Sequence, residues 1–224
     1  MVMSFFRRGE SGLDQITNRT ITMLSDARHS FDLASATVLS GADPASVGED
    51  IRQTDDRINR AEQELRGELV VHVSVHGADD IGEVLGYTLL IKKIERIGDQ
   101  AKNILDLAEE GVSMAGQPDI DELNARRQLI SEMFAETAEL LSDPDADRVE
   151  AFHAAGGALR HELEAKVREH LHSEHPGSYA VPRAILYRYW KRIVANLSGI
   201  VTTATEPIQN QDYLDNGETD IVDD

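Results

Sequence analysis

An all-α fold of six helices is what this chain predicts, on three observations: regularly placed breakers, a helical period in the apolar residues, and no sustained β-branched alternation. Gly41-Ala42-Asp43-Pro44, Gly77-Ala78-Asp79-Asp80, Gly111 through Pro118, Ser142-Asp143-Pro144 and Pro176-Gly177-Ser178 cut the sequence into six helix-length segments. At 224 residues the chain suits one compact domain or two half-size repeats, and either can bury a sizeable core.

In order along the chain, the first segment runs up to the Gly41 break. The second opens at Asp43-Pro44, an N-cap acceptor followed by Pro at the first helical position, and the fifth repeats the device with Asp143-Pro144. The third begins after Asp79-Asp80, with Glu83 placed behind them as in a capping box. At 100° per residue its Leu90, Ile94, Ile97, Ala101, Ile104, Leu105 and Ala108 fall on one apolar stripe. Lys92, Glu95, Asp99, Lys102 and Asp106 lie opposite. That side is expected to face outward, where it suits a surface cation and a plain solvated face equally. The fourth segment follows the Gly111–Pro118 connection. The sixth carries Tyr187, Tyr189 and Trp190, for which packing in the core or between repeats is the default reading, and it stops by Pro207. Residues 207–224 are acidic with few apolar anchors and are expected to be a disordered tail. Phe5-Phe6-Arg7-Arg8 near the start is read as packing or as a small docking element.

Charge narrows the function classes. Forty-one acidic residues against 22 basic ones give a net charge of -19, which disfavours nucleic acid and anionic membrane as direct partners. Only Lys92, Lys93, Lys102, Lys166 and Lys191 are lysines; the other basic residues are Arg. An acid-rich, lysine-poor composition is expected of a protein from a salt-adapted organism, where screening weakens self-repulsion. There is no cysteine, hence no disulfide, thiolate nucleophile or Cys-based zinc site. No apolar run approaches the ~20 residues of a membrane span. The start lacks the apolar stretch of a secretory signal, so a cytoplasmic location is expected.

The string Leu90-Ile91-Lys92-Lys93-Ile94-Glu95-Arg96-Ile97-Gly98-Asp99 resembles the signature of the PhoU family, helical regulators of phosphate uptake. A shift of 96 lays Leu186 through Ala195 over Leu90 through Asp99, with Leu90/Leu186, Arg96/Arg192, Ile97/Ile193 and Ile104/Ile200 identical. The resemblance implies two tandem three-helix repeats forming a six-helix PhoU-like bundle, with residues 1–112 as the first and 118–206 as the second, divergent one. It implies iron or zinc held on Glu/Asp-x-x-x-Asp helices, the matching positions being Glu95 and Asp99. Asp55 and Glu62 on the preceding helix complete the set, with Asn59 where the family often has Asp. Carboxylates one turn apart on a helix can jointly ligate a cation. In the second repeat Lys191 and Ala195 replace the acid pair, so one metal site at most is expected, and Asp147, Glu150 and His153 make a poor substitute.

Histidines 153, 161, 170, 172 and 175 are dense late in the chain. Glu150-x-x-His153 and Glu169-x-x-His172 match the pattern of di-iron bundles. Both fall on one helix, however, roughly 28 Å apart at 1.5 Å per residue. They are expected to be exposed or helix-end residues. Gly111 through Gly116 lacks the Lys and strand context of a phosphate loop. The function expected from the resemblance is a non-enzymatic adaptor that contacts a phosphate transporter's ATPase subunit or a sensor kinase, with a homodimer compatible. The alternative is a carboxylate-bridged metal enzyme or storage protein on the same bundle.

Overall fold

The computed structural model describes residues 12–77 and 79–206. Six α-helices follow one another: α1 Leu13–Ser40, α2 Ala45–His76, α3 Ile81–Glu109, α4 Ile120–Ser142, α5 Ala146–Leu171 and α6 Gly177–Thr205. The described residues contain no strand. Residues 207–224 and the Phe5-Phe6-Arg7-Arg8 element lie outside them.

Helix α3 is the centre of the molecule. It packs on α1, α2 and α6, while α4 closes onto α1. The predicted stripe of α3 is buried throughout, from Leu90 to Ala108. One continuous apolar core runs through both halves. Phe31 of α1 stacks on Phe134 of α4 with ring centroids 5.5 Å apart. The buried Trp190 of α6 donates from Nε1 to Ser35 Oγ of α1 at 3.3 Å. Tyr187 is buried beside Trp190, so the aromatic cluster of α6 is core material, with Tyr189 at its margin.

The breakers act locally as their chemistry requires, with departures at three helix starts, the first being α2, where Pro44 rather than Asp43 holds the N-cap position and Asp43 Oδ1 accepts from Ala45 N at 3.0 Å. Gly41 takes the left-handed conformation (φ 70°) and returns its N–H to Thr37 O at 2.9 Å, ending α1. Asp145, not Asp143, caps α5 by accepting from Arg148 N at 2.9 Å. Asp80 precedes α3 but caps nothing; its carboxylate meets His72 Nε2 at 2.9 Å instead. A buried imidazole across the α2–α3 turn is a better partner than backbone N–H groups that water can reach.

The start of α4 is tied to α6 by a side-chain pair remote in sequence. Arg183, almost wholly buried, donates from Nε and Nη2 to the two oxygens of Asp119, both at 2.8 Å. Its guanidinium also lies 3.6 Å over the Tyr179 ring. The Arg183 guanidinium holds the Asp119 carboxyl below the usual carboxylate range. A depressed carboxyl stabilises the fold fully above its ordinary pKa of about 4, and that contribution is lost as pH falls through the lowered value. Asp119→Asn should therefore cost about 2–3 kcal/mol at pH 7, since it strands a buried guanidinium. It should also flatten the acid limb of stability between pH 5 and the acid transition, as read by urea unfolding across pH. An unchanged acid limb would show that this pair is not a source of it.

A carboxylate seam between α2 and α3

The signature segment owes its glycine to proximity. A Cβ on Gly98 would stand 3.2 Å from Ile58 Cδ1 and 3.6 Å from Asp55 Oδ1, so α2 and α3 approach closely because this side chain is missing. Ile94 and Ile97 turn into the core, and Arg96 points to solvent. Glu95 and Asp99 turn toward α2.

Their setting corrects the expectation of an outward face. Asp55 and Glu62 are buried, and the side chain of Glu95 is only 13% exposed; Asp99 alone keeps much water at 45%. The angular count assumed one buried stripe on α3. As the central helix, α3 has neighbours on three sides, and α2 covers the stripe that periodicity marks as polar.

Two lysines make this burial tolerable. Lys92 Nζ lies 2.6 Å from Glu95 Oε2 and 3.7 Å from Glu62 Oε1, bridging α3 to α2. Lys102 Nζ lies 2.7 Å from Asp55 Oδ2 and 3.3 Å from Asp99 Oδ1, forming the same bridge further along. Arg66 adds a contact to Glu62 Oε1 at 2.8 Å, and Asn59 Nδ2 donates to Asp55 Oδ2 at 3.1 Å. Burial works against the charge on Lys102, yet Asp55 and then Asp99 outweigh it and lift its pKa above the ordinary lysine value. Glu62 Oε1 and Glu95 Oε2 are held by charge without hydrogen-bond geometry, while Asp55 Oδ1 is buried with no hydrogen-bond partner among the described residues.

The four candidate ligands Asp55, Glu62, Glu95 and Asp99 thus share one seam, as two lysine-bridged pairs. Among the described residues no three His, Asp or Glu side chains gather as a metal-holding group. The set fits a metal only where a lysine is displaced, and the orphaned Asp55 Oδ1 is the oxygen most ready for one. Asn59, in the place of a family Asp, serves here as a donor to Asp55.

The matching seam of the second repeat is built differently. Lys191, in the register of Glu95, donates to Glu164 Oε2 of α5 at 2.9 Å, and Arg168 reaches the same carboxylate at 3.3 Å. Lys191 and Arg168 hold the Glu164 carboxyl below its usual range. Here one carboxylate is shared by two cations, whereas in the α2–α3 seam each lysine is shared by two carboxylates.

The late histidines divide. His170 is buried and stacks on Tyr187 at 5.7 Å, so it is a core residue, and burial pushes its pKa down. His153 is partly buried, and its pKa is lowered for the same reason. Sequence reasoning passed over Lys92 and Lys102, although their positions three residues before Glu95 and three after Asp99 were signal enough. It had no signal for the pairing of Asp32 on α1 with Arg127 and Ser131 on α4, both at 3.0 Å.

Lys102→Met keeps the length of the stem but leaves the buried Asp55 without its ammonium. Chemical denaturation should show a loss of about 1–3 kcal/mol. A loss under about 0.5 kcal/mol would place this bridge with ordinary surface pairs.

The family model of the PhoU domain matches residues 13–108, covering α1, α2 and nearly all of α3. No curated protein matches the chain significantly. Among solved structures, PhoU from Pseudomonas aeruginosa superimposes with a TM-score of 0.72 at 19% identity, over 92% of this chain and 97% of that one. At that identity the likeness concerns the fold. Residues 13–108 match the PhoU domain, and the six-helix chain as a whole has the fold of PhoU.

Proposed function

We propose that this chain is a regulatory adaptor of phosphate uptake, acting in the cytoplasm by contact with the ATPase subunit of a phosphate transporter or with its sensor kinase. The observation that carries the reading is the PhoU domain over residues 13–108. Its surface chemistry suits docking rather than turnover. Val70, Val71 and Val75 at the end of α2, with Ile81, Leu85 and Leu89 at the start of α3, are 41–72% exposed. Exposed large apolar side chains on these two helix ends are surface that a partner can cover. No described helix is long and apolar enough to cross a membrane. Contact with a transporter would therefore run through a subunit outside the bilayer.

The test is physiological. Deleting the gene should raise phosphate uptake in phosphate-replete cells, and Leu85→Asp with Leu89→Asp should reproduce that rise while leaving the far-UV CD spectrum unchanged. Uptake that ignores the deletion would sink the reading.

Iron or zinc belongs to the proposal in one form, as a competitor of the lysines. A cation entering between Asp55 and Asp99 would take the place of the Lys102 ammonium, with Glu62 and Glu95 further along the seam. Bound there, it would supply a second way of neutralising the carboxylates and would set the spacing of α2 and α3. Lys102→Met should then bind Zn²⁺ at least about tenfold more tightly than the wild type in titration calorimetry. It should also recover thermal stability on zinc addition. Equal, weak binding by both proteins would remove the metal from this seam.

A further inference from the structure

Helices α4 and α5 pack far less closely than α1 and α2, although an opening of about 710 Å³ also lies between α1 and α2 at the His72–His76 end. Helices α1 and α2 are joined along their length by Arg19 with Glu64 and Glu68, by Arg57 with Asp26 at 3.2 Å, and by His29 with Asp50 at 2.9 Å. The corresponding helices α4 and α5 meet sparingly. One tie is Arg148, near the start of α5, with Glu136 at 2.8 Å and Glu139 at 2.6 Å. The other lies toward the far end, where Arg126 meets Glu162 and Lys166 meets Glu122 at 3.2 Å. Between the ties lies a cleft of about 540 Å³.

The walls of this cleft are specific. Met133, Phe152 and Leu159 make an apolar floor. On the α5 side stand Ala151, Ala155 and Ala158, exposed residues spaced as i, i+4 and i+7, whose short side chains let another backbone come close. From Ala151 to Glu162 the cleft follows α5 for roughly 16 Å at 1.5 Å per residue, three helical turns. Its rim carries Glu132, Glu136 and Glu162; Glu136 is paired with Arg148 and Glu162 with Arg126, so among the described residues Glu132 carries the uncompensated charge.

We infer that the α4–α5 cleft is a docking groove for a basic amphipathic helix of a partner protein. Large apolar residues at i, i+3/i+4 and i+7 enter between the alanines and the Met133–Phe152 floor. Lys or Arg residues on the flanks meet the glutamate rim. Charge selects this occupant over the nearest rivals. A second copy of the chain brings a net charge of -19 to an acidic rim, and the stretch 207–224 is itself acidic. The groove lies outside the residues that match the PhoU domain, so the inference stands or falls without the phosphate reading.

The probe is a fluorescein-labelled Leu/Lys amphipathic peptide of about four turns, with a Leu/Glu peptide of the same apolar pattern as control. Binding to the full chain is followed by fluorescence anisotropy. The wild type should bind the Leu/Lys peptide and not the Leu/Glu one. Ala155→Trp, which fills the groove from an exposed position, should weaken binding at least about tenfold. Ala158→Glu, which places a charge on the apolar wall, should do the same, and Glu132→Lys should weaken it by altering the rim alone. Matching CD spectra would show all three variants folded. Two results overturn the inference. One is equal affinity for the wild type and both alanine variants, which would mean diffuse attraction to an acidic surface. The other is tighter peptide binding after removal of residues 1–11, which would assign the groove to the chain's own start.

Discussion

Everything in this molecule turns on how closely α2 can lie against α3 while the seam between them carries acids. Gly98 permits the approach by leaving Ile58 and Asp55 the space a side chain would take. Without compensation the approach would be prohibitive, because a buried carboxylate that loses water must find a cation or surrender its charge. Lys92 and Lys102 provide that cation twice over, each shared between an acid of α2 and an acid of α3. Two of the chain's five lysines stand in this one seam, and a third, Lys191, stands in its counterpart. In a chain so short of lysine, that placement marks the α2–α3 and α5–α6 seams as the points where neutralisation is indispensable.

The two repeats answer the same packing problem in different ways. The first keeps its acid pair on α3 and bridges it outward to α2; the second exchanges the acid for Lys191 and pairs it with Glu164. Lys191 and Arg168 between them engage both oxygens of Glu164, whereas Asp55 Oδ1 is left without a hydrogen bond. The α2–α3 seam therefore keeps a buried carboxylate oxygen free of hydrogen bonds, and both oxygens of Glu164 are engaged. The contrast reverses on the other flank. There α1 and α2 are laced together by arginines, while α4 and α5 stand apart over an apolar floor.

The helices themselves were legible because helix limits are set locally: Gly41 ends α1, and the apolar stripe of α3 is buried from Leu90 to Ala108. The signature segment was legible too, and the four acids named with it lie in one seam. Their burial was not. Periodicity reports one buried face per helix, and α3 has three neighbours. Asp80 was read as a cap because capping is the nearest use of an acid before a helix, yet the turn brings it to His72. Asp119 and Arg183 meet across 64 positions, and Arg127 and Asp32 across 95. No local pattern encodes such a pair, for nothing near either residue changes when its partner does. His170 stands in the last turn of α5, one of the two places expected for it, but its burial was not legible, since the ring that covers it belongs to Tyr187 on the next helix.

Salt acts unequally on these two kinds of contact. At an ionic strength of 0.1 M exposed charges more than about 10 Å apart scarcely sense each other, while close, partly buried pairs are little screened. The lysine bridges of the α2–α3 seam and the Asp119–Arg183 clamp hold the helices together at separations well inside that length. The repulsion among the surplus acids, and the attraction of a glutamate-rimmed groove for a basic helix, both operate over longer reach and through water. Raising salt therefore relieves self-repulsion and slows charge-steered docking while leaving the interhelical ties largely intact. Shape in this fold is secured at short range; recognition of a charged partner is the part that the ionic surroundings can tune.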